Sequence, residues 1–205
     1  AKDPVEAARW FRRAAEQGHA LAQLRLGTVH ETGNGVSKDP AEAVKWYRKA
    51  ADQGNADAQT SLGLAYAEGI GISKDLVQSA AWYYRAALLG DARAQAQIGW
   101  AYYHGEGVSK DCTQAATWFR KSAEQGNAAG QNGLGDLSRE GCGVPKDPSE
   151  AVRWYQKAAS QGQTHAQFML GLMYRDGEGV PKDPIEAVKW YRKAAELGDP
   201  FAQFN

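Results

Sequence analysis

Tryptophan recurs every 36 residues along this chain. The series runs through six copies without an insertion or deletion, at Trp10, Trp46, Trp82, Trp118, Trp154 and Trp190. A glycine series from Gly18 to Gly198 and a series of Lys-Asp pairs keep the same step. A period of this size is typical of supersecondary units that stack side by side, each contacting only its neighbours. The period therefore predicts a repeat array rather than one globular core.

The period divides the 205 residues into five full repeats with a partial repeat at each end. We predict a single repeat domain over 1–205, with a partial repeat (helix B) at 1–18, full repeats at 19–54, 55–90, 91–126, 127–162 and 163–198, and the start of another at 199–205. The incomplete ends indicate a chain cut from a longer repeat protein. They also predict unfinished packing faces, with Phe201 and Phe204 at one end, and hence a hypothesis of head-to-tail self-association through the terminal helices.

Each repeat is predicted to form two helices, A and B. In the first full repeat the glycines of Gly33-Asn34-Gly35 end helix A, because they can adopt positive φ angles. Helix B then begins with Asp39 as N-cap, Pro40 at the first helical position and Glu42 completing a capping box. Gly54 is predicted to end helix B in the left-handed conformation.

Small residues at the helix crossings predict close packing around the large rings of helix B. Gly27 removes side-chain bulk where Trp46 and Tyr47 must fit between neighbouring helices. One glutamine also recurs in every full repeat, as in Gln23 and Gln59. Its repetition on an otherwise apolar stripe predicts a hydrogen bond to the backbone rather than a ligand contact.

The charge and hydropathy of the chain exclude two classes of partner. Lysine and arginine number 24, and aspartate and glutamate also number 24, so the formal net charge is zero and we predict no nucleic-acid binding. No apolar run approaches the roughly 20 residues of a membrane-spanning helix, so we predict no membrane insertion. The first residues lack the pattern of a signal peptide. The compartment stays open.

The two cysteines, Cys112 and Cys142, stand at positions where other repeats carry no cysteine. Cys112 replaces the proline found at Pro40 and Pro148, and Cys142 lies in the glycine loop of the following repeat. The two side chains are therefore predicted to be neighbours across a repeat boundary. Without a recurring cysteine framework, free thiols are favoured over a bond between them.

The full motif of a repeat resembles that of a known family. It reads Ala-x-Ala-Gln-x-x-Leu-Gly-x-x-Tyr, then Gly-x-Gly-Val-x-Lys-Asp, then Ala-x-x-Trp-Tyr-Arg-Lys-Ala-Ala-x-Gln-Gly. This is similar to the Sel-one-like repeat (SLR) family, relatives of the tetratricopeptide repeats, along the whole chain. The resemblance implies an all-α fold, a right-handed α/α superhelical solenoid of antiparallel helix pairs with helix A on the concave side.

The resemblance also implies function, as a protein–protein interaction scaffold or adaptor of the kind found in bacterial systems. Family members are often periplasmic, secreted or in the endoplasmic-reticulum lumen. One cysteine-rich bacterial branch carries a disulfide in every repeat, and the absence of a recurring cysteine here argues against membership of that branch.

If helix A lines a groove, the residues that vary between repeats on the face away from its packed stripe are the candidates for binding. The face includes Leu24, Thr60, Glu140 and His165 among others. The predicted partner-binding set within it is Arg25, Thr28, Gln97, Trp100, Tyr103, His104, Asn132, Asp136, Arg139, Met169, Leu172 and Arg175.

Trp100 is the tryptophan out of register, and with Tyr103 it has the makeup of an interface hot spot. The alternative is that Trp100 packs on the neighbouring helix A, where Gly130 and Gly133 leave space. Both interpretations stay open at this point.

No motif in the sequence indicates catalysis. The four histidines fall at scattered positions of the repeat, with no pair at the spacing of a helical metal site. The Gly-x-Gly pairs follow no strand and are predicted to be turns rather than phosphate loops. We therefore predict no enzymatic activity and no cofactor. The leading hypothesis is a protein or peptide partner in the groove, and the alternative is a glycan or cell-wall fragment.

Overall fold

The computed structural model describes residues 3–198, 200 and 202, and within them the secondary structure is entirely α-helical. Eleven helices of 13 residues follow one another in this part of the chain. The all-α prediction is confirmed. Odd-numbered helices are helix B of a repeat and even-numbered helices are helix A, with the bounds α1 Pro4–Glu16, α2 Ala20–Thr32, α3 Pro40–Asp52, α4 Ala56–Glu68, α5 Leu76–Leu88, α6 Ala92–His104, α7 Cys112–Glu124, α8 Ala128–Glu140, α9 Pro148–Ser160, α10 Thr164–Asp176 and α11 Pro184–Glu196.

The helices group into two compact bodies. Among the described residues, the N-terminal body comprises those within Ala1–Ala94 and Glu106–Val108, and the C-terminal body comprises those within Gln95–Gly105 and Ser109–Asn205. Within the N-terminal body α2 packs on α3 and α4 on α5. Within the C-terminal body α8 packs on α9 and α10 on α11, while α8 also contacts α7 and α10.

Each helix B begins at an aspartate that caps it, as predicted. The Asp39 carboxylate accepts a hydrogen bond from the Glu42 backbone N–H at 3.0 Å. The capping box is nevertheless incomplete, because the Asp39 N–H donates to the carbonyl of His30 at 2.8 Å and leaves no donor for the Glu42 side chain. That side chain instead accepts from Lys45 at 3.0 Å. Gly54 ends helix B with φ of 82°, which confirms the left-handed cap.

In each helix A, an aromatic ring of the following helix B packs directly against one glycine. A Cβ atom added to Gly27 would lie 2.5 Å from a ring carbon of Tyr47, well inside van der Waals contact. The same contact recurs in every full repeat, as Gly63 with Tyr83, Gly99 with Phe119, Gly135 with Tyr155 and Gly171 with Tyr191. The predicted pairing of small and large residues is confirmed for this ring.

The periodic tryptophans of helix B are covered by a cation one turn further along the helix. Lys49 lies 3.8 Å from the centroid of the Trp46 ring, and Lys121 lies 4.5 Å from that of Trp118. Trp118 itself is 4% exposed. The lysine stem and charge shield the ring from water, and a cation–π contact of this kind contributes about 0.5–1 kcal/mol.

The recurring glutamine ties helix A to the preceding helix B. Gln23 donates to the carbonyl of Ala15 at 3.1 Å, and Gln53 in turn donates to the Gln23 carbonyl oxygen at 2.7 Å. Gln59 makes the same bond to the backbone, so the structural interpretation of these amides is confirmed. Leu89 replaces the second glutamine of the pair, and the Gln59 carbonyl oxygen consequently meets no donor among the described residues.

Cys112 and Cys142 form a disulfide, with their Cα atoms 5.4 Å apart. The prediction that they are neighbours is confirmed, and the preference for free thiols is wrong. The reason lies in the loop after α8, where Gly143 has φ of 71° and carries the chain against the first turn of α7. A Cβ on Gly143 would lie 2.3 Å from the carbonyl oxygen of Cys112, so the two backbones approach more closely than the repeat spacing alone indicates.

Phe201 and Phe204, on which the self-association hypothesis rests, lie outside the described residues, so that hypothesis stays a prediction. Among residues 3–198, no helix has both the length and the apolar character needed to cross a bilayer.

The disulfide is expected to stabilise the chain, because it closes a loop of 30 residues. Cys142→Ser should lower the free energy of unfolding by about 2–4 kcal/mol, measured by urea denaturation. Cys112→Pro restores the residue that other repeats carry at the start of helix B, and it separates loss of the bond from damage to α7. Reductant should shift the midpoint of the wild type and of neither variant; an unshifted wild type would contradict the assignment.

Burial of the periodic tryptophans is expected to dominate local stability. Trp118→Ala should lower the free energy of unfolding by about 3–5 kcal/mol, because it leaves a cavity in a closely packed stack. Trp10, whose side chain is 58% exposed, occupies the same position in its repeat and serves as control. A loss below about 1 kcal/mol for Trp118→Ala, or an equal loss for Trp10→Ala, would tell against this packing.

Candidate functional site

A pocket of about 470 Å³ opens in the C-terminal body, between α6, α8 and the start of α10. Six of the twelve residues in the predicted set line it, together with three others. Its walls are formed by Trp100, Tyr103, His104, Asn132, Asp136, Arg139, Glu140, Gln163 and His165.

One wall is aromatic and comes from α6. Residues 100, 103 and 104 share a face because they are three and four positions apart on a helix. The Trp100 ring stacks on His104 with an interplanar angle of 14° and a centroid distance of 5.6 Å, and Tyr103 meets it edge-on. Beneath, Trp100 packs against Phe119 at 4.8 Å. Half-buried, Trp100 therefore combines core packing with a place on the pocket wall.

The opposite wall is polar and comes from α8, where Asp136 is 6% exposed. Its Oδ1 accepts a hydrogen bond from the Tyr155 hydroxyl at 2.6 Å and lies 3.4 Å from Nε2 of His165. Its Oδ2 accepts from the Asn132 amide at 3.3 Å. Burial, followed by the negative charge of Asp136, raises the pKa of Tyr155, so the phenol stays protonated and acts as a donor.

Arg139 and Glu140 connect the two walls at the rim. Glu140 accepts from the Tyr103 hydroxyl at 2.5 Å and from Arg139 at 3.0 Å. Burial and the hydrogen bond to Glu140 raise the pKa of Tyr103, so this hydroxyl also remains a donor. Burial alone would lower the pKa of Arg139, but the carboxylates of Glu140 and Asp136 raise it overall. The guanidinium donates to Glu140, while its Nε is buried without a hydrogen-bond partner among the described residues.

The other predicted residues do not line the pocket. Gln97 is exposed on α6, Arg175 on α10 pairs with Asp176 at 2.8 Å, and half-buried Leu172 packs against a neighbouring hydrophobic cluster. Arg25 and Thr28 are exposed in the N-terminal body.

The expectation that all these positions share the open face of helix A is wrong for several of them. Leu24, Thr60, Asn132 and Met169 are 7%, 9%, 2% and 7% exposed. Helix A is covered by the helices B that precede and follow it, and residues of neighbouring helices A join the same core, as the cluster that contains both Leu24 and Leu62 illustrates. The strip that remains open is therefore narrower than the variable positions suggest.

Three residues that line the pocket were absent from the predicted set. Glu140 and His165 belong to the variable face of helix A, but their proximity to Asp136 depends on how α8 and α10 pack. Gln163 stands where other repeats have the N-cap residues Asn55 and Asn127, and its side chain makes no capping bond. A long amide side chain at a capping position is a signal by which Gln163 could have been identified from the sequence.

Comparison with known proteins identifies the family. The Sel1 repeat profile matches nearly the entire chain, and by this match the chain belongs to the Sel1 repeat family, with copies at 1–19, 20–55, 56–91, 92–127, 128–163 and 164–199. Proteins of this family are generally interaction scaffolds, and most are not enzymes. The predictions of family and of an all-α repeat solenoid are confirmed.

Solved structures from bacteria have the same fold. A protective antigen of uropathogenic Escherichia coli strains, described as displaying an SLR fold, is 41% identical with a TM-score of 0.87, over 100% of this chain and 44% of its own. A Sel1 repeat protein of Oxalobacter formigenes is 33% identical with a TM-score of 0.87, over 98% of this chain and 86% of its own.

Cysteine-rich protein B of Helicobacter pylori is also similar, at 26% identity and a TM-score of 0.51, over 64% of this chain and 94% of its own. Among proteins with curated descriptions, none matches this chain. The chain spans less than half the length of the Escherichia coli relative.

The hydroxyl of Tyr155 is expected to hold Asp136 in place. Tyr155→Phe should lower the free energy of unfolding by about 1–3 kcal/mol, because it leaves a buried carboxylate short of a donor. Tyr191 occupies the same position in the next repeat, and its hydroxyl is buried without a hydrogen-bond partner among the described residues. Tyr191→Phe should therefore be nearly neutral in the same urea titration. Equal losses in the two variants would contradict the proposed network.

Proposed function

We propose that this chain is an interaction scaffold that binds an extended segment of a partner protein at the pocket between α6, α8 and α10. The observation that carries the proposal is the pocket itself, in which residues that depart from the repeat pattern come together. Residues that repeat are accounted for by the packing of the stack. Trp100, Tyr103 and Asp136 occupy helix A positions where the repeats differ, and they meet at one site.

The composition of the pocket favours a peptide anchor. Aromatic rings and an arginine beside desolvated polar groups are typical of the centre of a protein interface. A volume of about 470 Å³ accommodates one large side chain with its adjoining backbone rather than a folded domain. The rim supplies both donors and acceptors, which the amide groups of an extended chain can use. We propose that Gln97, Leu172 and Arg175, on the flanking helices, contact the segment on either side.

A glycan or cell-wall fragment is the competing occupant, since rings beside carboxylates and amides also suit sugars. Packing of the rings favours the peptide. Trp100 stacks on His104 and meets Tyr103 and Phe119 in T-shaped pairs, so three protein rings already contact the indole. A sugar ring that stacks on an indole needs one open face.

Peptide selection by display against the immobilised chain tests the proposal. Peptides that are enriched should bind the wild type, and Trp100→Ala should weaken them by about tenfold or more, measured by fluorescence polarisation. Trp10→Ala removes an exposed indole outside the pocket and should leave affinity unchanged. Circular dichroism checks that both variants are folded.

Two results would overturn the proposal. Selected peptides could bind both variants as tightly as the wild type, which would place recognition elsewhere on the chain. Soluble chitooligosaccharides and peptidoglycan fragments, titrated in competition, could bind at the Trp100 pocket when no selected peptide does, which would favour the glycan alternative.

A further inference from the structure

Resting on the peptide site proposed above, we propose that the pocket receives the guanidinium group of an arginine in the bound segment. Recognition of this side chain would be set mainly by Asp136, with Asn132 and Glu140 as further acceptors and the rings of α6 as the apolar surface for the arginine stem.

The state of Asp136 is the first observation behind this assignment. The carboxylate is buried, yet its hydrogen-bond partners are the Tyr155 hydroxyl, the Asn132 amide and the His165 ring, so none of the described residues that bond to it is a lysine or arginine. Arg139 lies near enough for Asp136 to raise the pKa of its guanidinium, but it donates to Glu140 rather than to Asp136. A buried carboxylate is stabilised most by a charged donor that bonds to it directly, and a cation that enters the pocket would supply one.

Asn132 provides an independent observation. It lines the pocket with 2% of its surface exposed, and its amide nitrogen donates to Asp136. Its carbonyl oxygen is buried without a donor in the part of the chain that the structure describes. A buried acceptor left unpaired is destabilising, and a small rotation of this amide would let it accept from a ligand N–H.

The charges that face the pocket also favour a cationic occupant. Asp136 and Glu140 contribute two carboxylates, and the one guanidinium in the lining, that of Arg139, already pairs with Glu140. Counted over Asp136, Glu140 and Arg139, the formal charge of the lining is −1. An anionic side chain would meet both carboxylates and is disfavoured.

A guanidinium suits this arrangement better than an ammonium does. Its five N–H donors lie in one plane and can reach acceptors on different sides of the pocket at once. Its methylene stem can pack along the edges of the α6 rings that line the pocket, which needs no open ring face. A lysine ammonium is more strongly hydrated and offers its donors from a single point.

The test uses small probes and nuclear magnetic resonance of the chain labelled with ¹⁵N-tryptophan. N-acetyl-arginine-N-methylamide is titrated against its neutral isostere, N-acetyl-citrulline-N-methylamide, and against N-acetyl-lysine-N-methylamide. The indole signal of Trp100, assigned with Trp100→Phe, reports on the pocket. We expect the arginine probe to bind about tenfold more tightly than the citrulline probe and more tightly than the lysine probe.

Asp136→Asn keeps the shape of the side chain and removes its charge, and it should reduce the preference for arginine over citrulline to less than about twofold. Asp57→Asn is the matched control. It removes an equal charge from an exposed helix A carboxylate that pairs with Arg93 in the N-terminal body, and it should leave the preference intact.

Equal binding of the arginine and citrulline probes, equal or tighter binding of the lysine probe, or an undiminished preference in Asp136→Asn would overturn the assignment. If Asp136→Asn does not fold, the comparison of the probes on the wild type decides alone. These outcomes would overturn the arginine assignment but not the proposed peptide site. If selected peptides still depend on Trp100 for binding, the pocket binds peptides without using an arginine anchor.

Discussion

The contact between a helix A glycine and the aromatic ring of the next helix B is the constraint on which the rest of this structure depends. Because glycine has no Cβ, the ring of Tyr47 lies directly against the backbone of α2, and each full repeat carries an equivalent pair. This close approach determines which residues of helix A are covered. It also fixes where the end of the ring, and any hydroxyl on it, meets the neighbouring side chains of helix A.

The pocket follows from variation at the end of that ring. Tyr47 places a hydroxyl that donates to Glu31, and Tyr155 places one that donates to the buried Asp136. Phe119 has no hydroxyl to satisfy, and here the apolar indole of Trp100 packs against the ring. One missing hydroxyl and one buried carboxylate, in successive repeats, therefore produce an aromatic wall beside a polar one.

The helix that carries the polar wall, α8, has the lowest intrinsic helix propensity of the helices A. It contains Gly130 and Gly133 in addition to Gly135, the glycine against which the Tyr155 ring packs. Tertiary contacts offset this weakness. Ser122 and Phe119 occupy the space that side chains at those glycines would fill. Cys142 lies two residues after Glu140, and its disulfide joins the loop after α8 to the start of α7. Local propensity alone would assign this segment less order than the fold provides.

The sequence by itself determined the family, the all-α solenoid and the aspartate and glycine caps, since a strict period and short-range hydrogen bonding depend on residues close together in the chain. It also singled out Trp100, Tyr103 and Asp136 as residues that depart from the period. Only the tertiary structure decided that Asn132 and Met169 are buried, that Cys112 bonds to Cys142, and that Gln163 and His165 join the pocket. These outcomes depend on how helices of successive repeats pack, and side chains about 30 residues apart meet there through backbone proximity that no single repeat encodes.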